Sequence, residues 1–343
     1  MILYLSFLWF ISHLLILGFL LKQKRFFIYL LLFLITIFYF NIGLTGDMSH
    51  GYFYDIQSNL LESRFIKRGE VGFAYMGMFF NNITGNYKDT LYLFQFFEFL
   101  FFLYLVKIFY KKSFLGSLLI GVLSLSFFLG LENVYRQGVA SIFILIGSYF
   151  LIESKIYFIV FYIIAQLFHY SSIFFELIIL FIFFLKKSKF PFSCIKINFL
   201  KYIFVIMLFT LLFYFLIKFF YTYFPISRNN DRDFGLLKVG TVGIIYFLSS
   251  YFFSKSLLNG ISYFLFIIRG VFFSIFIASS LVGGAIGIEL ASRILFFYFW
   301  IEAVLAIREF FNGKNSRLGS IIILLSYGLA INVYILLKGV GKL

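Results

Sequence analysis

Gly130-Leu131-Glu132-Asn133-Val134-Tyr135-Arg136-Gln137-Gly138 interrupts sequence that is apolar on both sides. It places Glu132, Asn133, Tyr135, Arg136 and Gln137 within six residues. The flanking runs, Phe114–Leu131 and Val139–Ile152, read as membrane helices, so the polar stretch lies where two crossings meet. An arginine at the mouth of a membrane helix is costly unless it has a partner, faces a water-filled cavity or meets an anionic ligand. If Arg136 opens the second helix, the residues around it point into whatever cavity the neighbouring helices enclose.

The rest of the chain has the same character. Apolar residues make up 63% of its 343 positions and charged residues only 13%. Apolar runs of about 20 residues recur along the whole length, the span a helix needs to cross a bilayer core. Many are apolar all round, so they face lipid or one another. The reading is an all-α polytopic integral membrane protein, a single membrane domain over residues 1–343. No polar block is long enough to fold as a soluble module. The net charge of +15 invites a nucleic-acid partner. We exclude one, because many of the basic residues sit in short clusters between apolar runs, as in cytoplasmic loops. The single Cys194 rules out an internal disulfide. The abundance of Phe, Tyr, Ile and Lys suggests an AT-rich gene and a bacterial source.

Charge sets the expected topology. Met1–Leu21 is followed, not preceded, by Lys22, Lys24 and Arg25. That polarity favours a retained helix with this basic loop inside. Phe26–Leu44 then exits outward into a polar outer loop, 45–88, with Asp47, Asp55, Arg64, Arg68 and Glu70. Within it, Asp55–Arg68 is expected to form an interfacial helix. Val71–Phe80 is apolar but too short to span. Thr90–Tyr110 returns inward to Lys111-Lys112, Phe114–Leu131 goes out, and Val139–Ile152 comes back to Glu153-Ser154-Lys155. Arg136 is thereby expected on the outer side.

Ile156–Leu185 is nearly unbroken apolar sequence with Gln166, His169, Ser171 and Ser172 near its centre. As one helix it would run about 45 Å at 1.5 Å per residue, too long for a simple span of about 30 Å. A break at His169–Ser172 is expected, with Lys186, Lys187 and Lys189 marking a return to the inner side. Beyond Pro225 a second outer loop, 225–238, carries Arg228, Asp231, Arg232 and Asp233. Ile261–Leu281 has Arg269 embedded in it. Gly283, Gly284 and Gly287 suggest a flexible turn, and Ile288–Phe311 carries Arg293 near its outer end and Glu302 further along. The count is about twelve helices, or eleven if Ile156–Leu185 is one tilted helix.

The chemistry is defined partly by what is absent. There is no phosphate-binding Gly-rich loop ending in Lys, no dinucleotide fingerprint and no His-Glu-x-x-His pattern. With three histidines and one cysteine, neither a metal site nor a cofactor is expected. What remains is a set of polar groups predicted at similar depth on the outer face: Arg136, Arg293, His169, Asp47, Glu70 and Glu132. Arginine suits bidentate contact with phosphate oxygens and stays charged. Two arginines facing one cavity suit a diphosphate. A histidine or carboxylate beside them can take a proton from an attacking hydroxyl. Plainer roles exist for each. Arg136 can pair with Glu132, Arg293 with Glu289 at helical spacing, and Arg269 with another helix. Arg228 and Arg232 can be a solvated loop, and Asp47 and Glu70 can pair locally.

At these residues the sequence resembles the EpsG-like branch of the Wzy-type bacterial polysaccharide polymerases. Gly46 and Asp47 are followed by Tyr52 and Tyr54, then by Glu70-Val71-Gly72-Phe73. A helix opens with Asn133, Arg136, Gln137, Gly138 and Ala140. About thirty residues on comes Leu167-Phe168-His169-Tyr170-Ser171-Ser172, and near the end Arg293-Ile294-Leu295-Phe296-Phe297-Tyr298. The resemblance implies a GT-C-like helical membrane glycosyltransferase with an active site facing outward from the cytoplasmic membrane. Its substrate would be undecaprenyl-diphosphate-linked oligosaccharide, polymerised without metal or nucleotide. Membrane lipids and a chain-length regulator would be its other partners. Arg136 and Arg293 would hold the diphosphate, and His169 or an outer acid would position or deprotonate the acceptor hydroxyl. Asp47, Glu70, Glu132, Asn133, Tyr135, Gln137, Arg228 and Arg232 would bind substrate. A flippase for the same lipid-linked sugars and a membrane acyltransferase are the competing readings.

Overall fold

The computed structural model describes residues 53–59, 61–109, 135–187, 199–223, 236–254, 261–312, 317–323 and 326. The first helical hairpin, the helix expected over Phe114–Leu131, and Asp47, Glu132, Asn133, Arg228 and Arg232 lie outside them. Among the described residues every regular element is helical. Five helices are long and apolar enough to cross a membrane: Tyr87–Phe109, Tyr135–Ile152, Tyr202–Phe219, Ile261–Val282 and Leu290–Phe310. The chain is a multi-pass membrane protein. The described residues divide into two compact units, the second running from Phe181 to Ile323 and the first comprising the rest.

The first unit begins with the outer-loop segment. A short helix, α1 (Phe53–Gln57), is followed by a π-helical turn, Leu61–Phe65. The single interfacial helix expected over Asp55–Arg68 is therefore broken. Asn59 adopts φ 54° and Gly69 φ 78°, left-handed conformations that a right-handed helix cannot contain. Arg64 Nη1 donates to Asp55 Oδ1 at 2.9 Å across the break. Next comes α2 (Val71–Thr84), the short apolar segment, closed by Gly85 in the left-handed cap conformation. Only glycine adopts that conformation without cost.

α3 (Tyr87–Phe109) and α4 (Tyr135–Ile152) pack in parallel. Phe94 meets Tyr135, Phe101 meets Phe143 and Phe109 meets Tyr149, so contacts advance together along both helices. Parallel packing is the relation expected of two helices that both cross inward. α4 is the centre of the unit, buried along nearly its whole length. α5 (Phe158–Phe168) doubles back antiparallel on it, with Phe150 against Phe161 and Phe143 against Phe168. Small residues allow the close approach: a Cβ on Gly147 would stand 2.5 Å from the Tyr162 ring.

The break expected near the centre of 156–185 is present. α5 ends at His169, whose backbone is extended (φ −152°, ψ 107°), and α6 (Ser172–Lys187) begins three residues later. α5 and α6 do not pack side by side along their lengths. The chain turns at His169, and the interrupted ladder places that residue between two helix ends.

The second unit contains α7 (Phe199–Tyr223), α8 (Leu236–Ser254), α9 (Ile261–Val282) and α10 (Gly284–Asn312). α7 exposes Phe204, Met207, Leu211, Phe215 and Phe219, as a lipid-facing helix does. α9 and α10 form a tight helical hairpin. Gly283 and Gly284 turn it with φ 65° and 63°, and a Cβ on Gly287 would lie 2.6 Å from the Ser279 carbonyl oxygen. The glycines read as a flexible turn thus meet a steric requirement.

Arg269 is wholly buried in this unit. It donates from Nε to Glu302 Oε1 (2.6 Å), from Nη1 to Ser250 Oγ (2.6 Å), and from Nη2 to the Tyr246 carbonyl (3.2 Å) and Ser249 Oγ. The Tyr246 ring lies 4.2 Å from the guanidinium carbon, and Tyr298 donates its hydroxyl to Glu302 Oε1. Of the roles open to Arg269, pairing with another helix is the one observed. The network joins α8, α9 and α10.

Candidate functional site

Three of the polar residues read from the sequence converge in the first unit. Glu70 stands just before α2, its backbone N–H donating to the Phe65 carbonyl at 2.9 Å. That bond ties the π-helical turn to the start of α2. The helix then abuts the end of α5, because a Cβ on Gly72 would be 3.0 Å from Leu167 Cβ and 3.2 Å from its carbonyl oxygen. The contact brings Glu70 to His169, two residues past Leu167.

Glu70 is fully buried, and both carboxylate oxygens are engaged. Oε1 lies 2.8 Å from His169 Nδ1, and Oε2 accepts from Arg136 Nη1. The partners stand 66 and 99 positions away in sequence. Arg136 is seated over aromatic faces, its guanidinium carbon 4.7 Å from the Phe65 ring centroid and 5.8 Å from that of Phe73. Such stacking fixes the plane of the guanidinium. Among the described residues Arg136 forms an ion pair with Glu70. Its side chain retains 21% exposure, against 0% for Glu70. Arg136 therefore faces outward from the cluster and Glu70 holds it from within.

The electrostatics follow from this arrangement. Burial works to raise the Glu70 pKa, but the His169 hydrogen bond, then the Arg136 and His169 charges, outweigh it and hold the carboxyl below the usual glutamate range. Glu70 is thus an ionised acceptor between two donors. A neutral His169 that donates from Nδ1 carries its lone pair on Nε2, the tautomer of a base oriented by a carboxylate. Arginine beside an oriented imidazole can hold an anion while the imidazole takes a proton.

Two expected outcomes test the local geometry. The folded pKa of Glu70 is depressed, so its contribution to stability is complete above the ordinary glutamate value and fades as pH falls through the depressed one. Thermal unfolding of the detergent-solubilised protein should show wild type more stable than Glu70→Gln at neutral pH, with the gap closing in acid. Gly72→Leu should drive α2 from α5 and cost about 1–3 kcal/mol by overpacking, whereas Gly72→Ala should cost clearly less. Thermal midpoints of the two variants check this, and equal midpoints would contradict the close approach.

The other predicted residues are placed as follows. Tyr135 is buried, its ring 5.0 Å from Phe94 and 6.1 Å from Phe73. Gln137 is buried, and its carbonyl accepts from Ser141 Oγ at 2.7 Å. Arg293 is half-buried on α10 in the second unit. No group of three or more His, Cys, Asp or Glu suited to a metal occurs among the described residues.

Sequence reasoning passed over two buried acids. Glu176 on α6 accepts from Gln166 Nε2 at 2.5 Å and from Ser172 Oγ at 3.1 Å. Glu98 on α3 is fully buried, and neither carboxyl oxygen has a hydrogen-bond partner among the described residues. Each is an acid inside an apolar run, and an ionisable residue so placed is a functional signal by itself.

The model of the EpsG family matches residues 24–340. No curated protein and no solved structure matches the chain. The matched range includes Glu70, Arg136, His169 and Arg293.

Proposed function

Because this chain belongs to the EpsG family, associated with polysaccharide polymerase glycosyltransferase activity, we propose that it joins lipid-diphosphate-linked oligosaccharide repeats into a surface polysaccharide. The carrier is undecaprenyl diphosphate, and the reaction takes place at the outer face of the cytoplasmic membrane. One observation supports this above the rest: a single buried carboxylate, Glu70, bonds both Arg136 and His169.

The reaction distributes naturally over these groups. The acceptor sugar hydroxyl attacks the anomeric carbon of the growing chain. A new carbon–oxygen bond forms there, and the bond from that carbon to the diphosphate oxygen breaks. His169 Nε2 takes the hydroxyl proton as the bond forms. Arg136 stabilises the charge that gathers on the departing diphosphate. Glu70 touches neither substrate; it fixes the imidazole tautomer and neutralises the cluster between turnovers. This revises the substrate-binding role expected of Glu70. On the strength of the family resemblance, Arg293 keeps its expected role of holding the diphosphate, and Asp47, Glu132, Asn133, Tyr135, Gln137, Arg228 and Arg232 their expected role of binding substrate.

Deletion of the gene tests the proposal directly. Surface polysaccharide from the deletion strain should show a single repeat on its carrier, accumulated in the outer leaflet, and the wild-type gene should restore long chains. An unchanged electrophoretic ladder, with no second copy of the gene to cover the loss, would remove the polymerase function. Accumulation in the inner leaflet would point to a flippase.

A further inference from the structure

Resting on that reading of His169, we infer that Glu176 is a positioning residue, clamping the helix break that presents the imidazole to Glu70. A break inside apolar surroundings interrupts the backbone ladder, and the freed groups must be satisfied locally. Three polar side chains gather at this one. Gln166 precedes His169 by three residues, Ser172 follows by three, and Glu176 follows by seven. Glu176 is 3% exposed. Its Oε2 accepts from Gln166 Nε2 (2.5 Å) on α5, and its Oε1 accepts from Ser172 Oγ (3.1 Å) at the start of α6. The carboxylate therefore spans from one helix end to the other.

His169 is held between these anchor points. Its backbone N–H donates to the Ala165 carbonyl and its own carbonyl accepts from the Ser172 N–H, each at 2.9 Å. The residue is extended, so its ring direction depends on how the two helix ends are set. A shift of about 1 Å in a reacting group can cost on the order of 100-fold in rate. Hydrogen bonding, and not charge, is what the clamp requires. A glutamine at 176 can accept from Ser172 through its oxygen and donate to the Gln166 oxygen if that amide turns over.

The test measures polymer formed per molecule of protein in membranes carrying their own lipid-linked repeats. Glu176→Ala should slow the reaction by about 10- to 100-fold, and Glu176→Gln should retain most of the rate. The same Glu176→Ala change placed in a His169→Ala background should cost nothing further, because residues acting as a unit are not additive. A wild-type rate in Glu176→Ala overturns the inference. So does an equal loss in Glu176→Gln, or an unreduced loss in the His169→Ala background. Should Glu176→Ala fail to reach the membrane, Ser172→Ala removes half of the clamp. It should slow the reaction several-fold in wild type and not in His169→Ala; an unchanged rate overturns the clamp. Loss of the polymerase function itself would appear separately, as absence of polymer dependence on the wild-type gene.

Discussion

Arg136→Ala is expected to abolish long polymer in a deletion strain while protein persists in the membrane. Arg136 is the most accessible member of the Glu70–Arg136–His169 cluster, its guanidinium held on one side by Glu70 and stacked on Phe65. Removing one preorganised donor from a developing charge typically costs about 100- to 1,000-fold in turnover. A second loss accompanies it, since Glu70 would keep only His169 as a partner for a wholly buried charge. Arg136→Lys separates the two effects. Lysine keeps the positive charge but lacks the planar fork, so stability should largely return while chain formation recovers only in part. Polymer length on gels, read beside membrane protein levels, decides the matter. Full-length polymer from Arg136→Ala would show that the cluster lies apart from the chemistry.

Arg269→Met should cost the second unit much of its stability, about 3–5 kcal/mol, the usual penalty for breaking a buried pair and stranding the other charge. Glu302 would be the stranded group, enclosed on α10 with no exposure. Ser249 and Ser250 would lose the donor that joins α8 to α9. The double variant Arg269→Met/Glu302→Leu should recover part of the loss, because an apolar replacement of both partners removes the uncompensated charge. Thermal unfolding of solubilised protein measures both. A single variant as stable as wild type would mean that this network holds nothing together. If the double variant recovers stability and also makes normal polymer, Arg269 and Glu302 serve the fold and not the reaction.

The membrane class was legible because the signal is additive along the chain. Apolar runs of spanning length and basic loops between them need no knowledge of packing. The break at His169 was legible for a related reason: the run 156–185 exceeds one span, and its polar residues gather at the middle. The fate of Asp55–Arg68 was not. One interfacial helix is expected there, but Asn59 takes a left-handed conformation and Arg64 reaches back to Asp55. Whether an asparagine does so depends on contacts beyond its own neighbours.

Composition, charge placement and run length thus determined by themselves that this is a multi-pass membrane protein. They also marked Arg136, Glu70 and His169 as residues needing an explanation. The tertiary structure alone decided which charge meets which. Arg136 pairs with Glu70, 66 residues away. Arg269 pairs with Glu302, 33 residues away. A buried charge is satisfied by the group that helix packing brings within about 3 Å, and packing at that scale follows from side-chain shape along whole helices. Gly72 against Leu167 illustrates it: the absence of one methyl group there sets the contact that joins Glu70 to His169.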